Sequence, residues 1–226
     1  YSELARGTAA DVPQLDTYYT TSRALATLQT DSMPQRAAAH RQQLADSDRS
    51  TPFYGRPRQS NSTPSRRLTL ELDEATSHQL RQLAEQEGFC GLTPDTSLFT
   101  VLASLLLGWL HRASGKRELG FDAPAHNRLT ATSKSSMGLF IEMFPFDVDV
   151  EEGATFRSLG QRCQEESQRF LANALAASTT RSTSSSHNVV LNFFPGSFGD
   201  LAGFPSRIEW IHAGHGDKIH SLRLQV

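Results

Sequence analysis

A chain of 226 residues with 38% hydrophobic and 20% charged content has the length for one substantial core or two small ones. A formal net charge of −2 supplies no polycationic surface, which argues against nucleic acid as a partner. The longest apolar run, Leu98–Leu110, is broken by Thr100, Ser104 and Gly108 and falls short of the ~20 residues that span a membrane. The only cysteines, Cys90 and Cys163, are too few for a disulfide framework and favour a reducing, cytoplasmic setting.

In chain order, Tyr1–Gly7 reads as a helix end with Gly7 at the stop position. Leu15, Tyr18, Tyr19, Ser22, Leu25, Ala26 and Leu28 recur at helical spacing, predicting an amphipathic helix over 14–28. Asp31 or Ser32 with Pro34 opens another helix running through Ala37–Leu44. Asp46–Ser65 is rich in serine, proline and arginine without an apolar period, and reads as a mobile linker. These features divide the chain into connecting helices and linker over 1–65 and a lobe over 66–226.

Arg67–Leu72 alternates Leu68, Leu70 and Leu72 with polar residues, predicting a strand. Asp73 caps a helix carrying Leu80, Leu83 and Ala84 that ends at Gly88. Thr93, Pro94 and Asp95 then open a long helix, apolar almost all round and therefore buried on most faces, which Ser114-Gly115 stops. Strands follow over Leu119–Asp122 and Phe140–Val150, joined by a polar loop. In the second, Phe144, Phe146, Val148 and Val150 face inward, while Pro145, Asp147 and Asp149 form a wet face. Pro145 has no amide to donate and favours a sheet edge.

Gly153 and Thr155 introduce a helix with Phe156, Leu159, Cys163, Phe170, Leu171, Ala174 and Leu175 inward and Glu165, Glu166 and Arg169 solvated. Ala176–Ser186 is a Ser/Thr tract expected to form a flexible loop. His187–Phe194 is an apolar run that suits a strand covered on both faces, in which the amide of Asn192 would need hydrogen-bond partners. Strands at Ile208 and Trp210 and at Leu222–Val226 complete an α+β layout, a mixed sheet flanked by helices.

Several residue sets invite chemistry. His212, His215 and His220, with Asp217, put three histidines within nine residues. Gly214 and Gly216 mark a reversing turn there and no cysteine joins them, so no metal site is assigned. His126, beside Arg128, reads as a loop hydrogen-bonder. Gly196-Ser197-Phe198-Gly199 lacks the spacing of a nucleophile elbow, and no phosphate-cradling glycine loop occurs.

The stretch 119–150 resembles the condensation domains of nonribosomal peptide synthetases. Gly120, Pro124 and Arg128 match the family's "G-x-P…R" turn. Met137, Gly138, Phe140, Ile141 and Pro145 match its "(V/M)-G-x-F-(V/I)-N-T-x-P-x-R" segment, and His111–Gly115 falls in its usual place after the long helix. Glu142 stands where the family has Asn, and Phe146-Asp147 replaces the arginine neighbourhood. The aromatic-acidic motif usual near 176–186 is missing. The signature His-His-x-x-x-Asp-Gly is not in this chain either, and the order of elements implies that it precedes Tyr1.

The resemblance implies the C-terminal lobe of a chloramphenicol-acetyltransferase-like fold. The parent enzyme would form an amide between a carrier-bound acyl or aminoacyl thioester and a carrier-bound amine, with both substrates on phosphopantetheine arms and no cofactor bound directly. Arg128 would support the histidine-motif loop, Asn192 would lie near the reaction centre, and Met137, Gly138, Phe140, Ile141 and Glu142 would belong to the floor of a tunnel between lobes. The partners implied are carrier proteins and the missing N-terminal lobe. The same scaffold also suits a non-catalytic recruitment platform, an ester-forming acyltransferase or an epimerase.

Overall fold

The computed structural model describes residues 7, 19–21, 23, 49–53, 64–125, 128, 131–176, 187–196, 203–205, 209, 211, 213–216 and 219–226. The helix expected over 37–44, most of that over 14–28, the Ser/Thr tract, the strand at Ile208 and Trp210, and His126, His212 and Asp217 lie outside these residues.

Among the described residues, helix α1 spans Glu74–Ala84 and α2 spans Pro94–Ser114, followed by strand β1, Glu118–Ala125. A short helix α3, Ala131–Ser135, leads to strand β2, Glu142–Asp149. Helix α4 covers Phe156–Ala176, and strands β3, Val189–Asn192, and β4, Leu222–Gln225, close the chain. The sheet order is β2-β1-β3-β4. β1 pairs antiparallel with β2 and parallel with β3, and β3 pairs parallel with β4, giving the mixed sheet of an α+β fold.

The helix ends follow from local chemistry. The Asp73 carboxylate accepts the Thr76 amide at 2.7 Å, satisfying one of the donors a helix start leaves free. Thr93 and Thr96 form a reciprocal capping box with Pro94 in the first turn. Gly115 ends α2 in the left-handed conformation, φ 72°, its amide returning to the His111 carbonyl. Before α4, Thr155 and Ser158 each accept the other's amide, at 3.1 and 3.0 Å.

One face of the sheet carries the core. Leu119, Phe121 and Ala123 of β1, Phe144, Phe146 and Val148 of β2, and Val189 and Leu191 of β3 pack under α2 (Ala103, Leu106, Leu107, Leu110) and α4 (Leu159, Cys163, Phe170). Phe121 and Phe146, opposite each other in the ladder, stack with ring centroids 4.8 Å apart. Phe99 meets Phe146 edge-on at 5.5 Å. Burying about ten large apolar side chains at ~2 kcal/mol each makes this layer the main source of stability.

Four expectations change here. Arg67–Leu72 forms no strand, and Leu68, Leu70 and Leu72 are exposed. Alternation specifies two faces, but a strand also needs a neighbour, and among the described residues the ladder contact nearby is the isolated Pro64–His215 bridge. Helix α2 is less enclosed than its composition suggests, because Leu105 and Trp109 lie nearly half exposed; Trp109 meets Phe53 at 5.8 Å. In α4, Phe156 and Leu171 are about 40% exposed and Glu166 is buried, so the stripe is rotated toward the polar side. Finally, within the stretch expected as a linker, Arg49–Phe53 packs against the sheet with Ser50 and Thr51 buried.

Candidate functional site

Two groupings of polar side chains stand out, and the first surrounds Arg128. This half-buried guanidinium donates to three carbonyls of the β1–β2 connection: Ser133 at 2.5 Å, Ser136 at 2.6 Å and Gly138 at 2.9 Å. The last carbonyls of a helix have no partner within it, so Arg128 completes the C-terminal end of α3 with a charge of favourable sign. Its carbon Cζ also lies 4.6 Å from the centre of the buried Phe140 ring, a cation–π contact. Ser136 is held from its other side by a hydroxyl–hydroxyl bond to the buried Thr21.

The residues after this turn are mostly exposed. Phe140 is buried, whereas Met137 is 74%, Leu139 69% and Ile141 54% exposed, and Met143 continues the row into β2. Glu142 opens β2 opposite Ala125. The outcome is an apolar row facing outward from a turn that Arg128 fixes. Asn192 ends β3 half-buried, its carbonyl accepting the Val226 amide at 3.0 Å. Arg128 and the segment 137–142 therefore form one unit.

Sequence reasoning missed the second grouping, on the sheet face opposite the core. The His187 ring, with no exposed surface, lies between two carboxylates: Nδ1 is 3.1 Å from Asp122 and Nε2 is 2.6 Å from Asp147. Both nitrogens face acceptors, so both carry protons and the ring is an imidazolium. Burial works against that charge. The hydrogen bonds and charges of Asp122 and Asp147 together outweigh it and push the pKa up to about 9.

The chain of charges continues outward on both sides. Asp122 Oδ2 accepts from His220 Nε2 at 3.0 Å, and Arg223 lies 3.3 Å from His220 Nδ1. Asp147 Oδ2 lies 3.5 Å from Arg49 Nε, while Arg49 Nη1 reaches Asp149 at 2.7 Å and the Leu119 carbonyl at 3.2 Å. Asp147 thus belongs to no wet face; it is buried in this network. Gly120 makes room for it, since a Cβ there would lie 2.0 Å from Asp147 Oδ1 and 2.4 Å from His187 Nε2. The signals that could have exposed this network are two aspartates inside otherwise apolar strands and a histidine opening an apolar run. Its chemistry is positional, because a ring with no open surface and two engaged nitrogens has no access to a substrate. His220 is a member of it and bonds to a carboxylate, and no cluster of metal-ligating side chains occurs among the described residues.

A third buried carboxylate, Glu166 of α4, pairs with Arg169 at 2.7 Å. Burial, and then the charge of Asp147, raise its pKa to about 7 against the pull of Arg169. No described helix is long and apolar enough to cross a membrane.

Comparison with known proteins places this geometry. The chain matches the first condensation domain of the calcium-dependent antibiotic synthetase, solved with a substrate analogue, at 19% identity and a TM-score of 0.71, covering 90% of this chain and 47% of that one. A variant of the starter condensation domain of rhizomide synthetase matches at 17% identity and a TM-score of 0.64, over 86% and 44%. The condensation domain from Monacolin K polyketide synthase matches at 14% and 0.58, over 85% and 48%. The chain therefore spans a little under half the length of these relatives. No curated protein matches it. The condensation-domain family profile matches residues 1–176, and the chain accordingly belongs to the condensation-domain family.

Proposed function

We propose that this chain is the C-terminal lobe, with connecting segment, of a condensation domain that joins a carrier-bound acyl or aminoacyl thioester to a carrier-bound amine. The family match over residues 1–176 carries this reading, since condensation domains transfer acyl groups within synthetases that use carrier-protein domains. The geometry supports it. A tunnel floor needs an extended segment held rigidly at one end and apolar along its length, and the Arg128 turn followed by Met137, Leu139 and Ile141 meets both needs.

The chemistry would be attack of the acceptor amine on the donor thioester carbonyl. A general base takes the amine proton, and donors stabilise the tetrahedral oxyanion before thiolate leaves. No residue of this chain is assigned as that base, since the 226 residues contain no His-His-x-x-x-Asp-Gly. Arg128 and Asn192 support the site, and Glu142, where the family carries Asn, marks the floor segment as divergent. The substrates arrive on phosphopantetheine arms of peptidyl or acyl carrier proteins, and a second lobe supplies the facing wall.

The test is the full reading frame containing this chain, incubated with a loaded donor carrier and an acceptor carrier bearing an amine or an alcohol. Amide product from the frame, and none from this chain alone, is expected. Ester product alone would assign an ester-forming acyltransferase. No bond formation, together with capture of a tailoring enzyme, would assign a recruitment platform.

A further inference from the structure

The His187 network joins segments far apart in sequence, and its position defines what it holds. Next to His187, the buried Asn188 side chain makes two bonds to one residue of the docked segment: Thr51 N donates to Oδ1 and Nδ2 donates to the Thr51 carbonyl, both at 2.8 Å. The Asn188 carbonyl accepts the amides of Ser221 and Leu222, at 2.7 and 3.2 Å, where β4 begins. Lys116 Nζ holds the Ser50 carbonyl at 3.0 Å. Asn188 therefore fastens Arg49–Phe53 on one side and β4 on the other, while the ring links Asp122 of β1 to Asp147 of β2, whose other oxygens face His220 beside β4 and Arg49 of the docked segment.

We propose that protonated His187 is a pin that clasps the Arg49–Phe53 segment and β4 to the sheet, and that loss of its proton in mildly alkaline solution releases both. The proposal stands on the ring's placement and is independent of the reaction assigned above. Among the described residues, the charged groups against the ring are Asp122 on β1 and Asp147 on β2, and behind them lie Arg49 of the docked segment with Asp149, His220 and Arg223 beside and on β4, and Glu166 on α4, whose ionisation Asp147 influences. With the ring charged, Asp122 and Asp147 are each balanced. With it neutral, one ring nitrogen becomes an acceptor facing a carboxylate oxygen, and the buried carboxylates outnumber their cations. The raised pKa of the ring places the change above neutrality.

Two measurements on this chain decide the matter. Nitrogen-15 spectra of the histidine rings should show both His187 nitrogens protonated at pH 7 and one proton lost near pH 9. Amide exchange at Thr51 and Leu222, divided at each pH by the intrinsic rate of an unfolded peptide of the same sequence, should rise at least about tenfold from pH 7 to pH 10, one pKa unit of release being a factor of ten. In H187Q that ratio should already be high at pH 7 and change little. A neutral ring at pH 7 overturns the proposal, as does a protonated ring with a ratio that stays constant across the range. If H187Q does not fold, the wild-type titration and ratio alone still give one answer or the other.

Discussion

Replacing Glu166 with Gln tests the electrostatics of this fold where the numbers are sharpest. The side chain is 3% exposed, and burial raises its pKa from 4.5 to about 7. A shift of that size corresponds to about 3 kcal/mol between the two protonation states. Between pH 4.5 and 7 the folded chain holds a proton that the unfolded chain has released, so stability falls as pH rises. The contribution is complete below pH 4.5 and is lost through about pH 7. Gln keeps the shape and cannot ionise. Arg169, largely exposed, loses a partner worth under about 1 kcal/mol. Urea unfolding followed by tryptophan fluorescence at pH 4.5 and 8 should therefore show the difference between variant and wild type moving by about 3 kcal/mol in favour of E166Q. Stopping at pH 8 keeps His187 protonated. A difference that does not change with pH would refute the claim that this carboxylate is buried against its charge.

Three further outcomes follow from the geometry. R128A should cost about 2 kcal/mol, because three carbonyls lose a charged donor, and R128K should recover less than half, since an ammonium lacks the fork that spans them; urea midpoints and amide exchange over 131–138 measure both. G120A should cost about 3–5 kcal/mol, because its methyl group drives His187 and Asp147 apart and breaks a buried charge pair; a urea midpoint like wild type would contradict this. A thiol reagent should label only one cysteine of the native chain: Cys90 is exposed, while burial pushes the Cys163 thiol up to about 12.

The sequence made legible whatever short-range periodicity and end chemistry control. The alternation of Phe144, Phe146, Val148 and Val150 is the buried face of β2, and Asp73, Thr93-Pro94 and Gly115 sit at the helix boundaries they suggest. The Arg128 turn was visible as a Pro-x-x-x-Arg spacing between strands, though its three carbonyl partners were not. Long-range polar pairing was hidden. Asp122, Asp147, His187 and Arg49 are 25 to 138 positions apart; Asp147 reads as part of a wet face and Arg49 as a linker cation, and nothing local pairs either with Asp122 or His187. Glu166 lies beside an apolar stripe, where a rotation of one residue's step, about 100°, decides whether a side chain faces water or the neighbouring sheet. Leu68, Leu70 and Leu72 carry a strand's pattern without a strand's partner, and no local signal separates the two cases.

Among the described strands β2 is outermost, and in the middle of it, across from Asp122, sits Pro145. A foreign strand trying to zip along that border would find one donor missing and a ring projecting where its own backbone must lie. That margin is closed to recruitment of further strands, from this polypeptide or another, and guards against ribbon-like self-association. Among the described residues β4, the opposite border, carries no proline, so a truncation or fusion intended to preserve solubility should leave β2 untouched and shield that border.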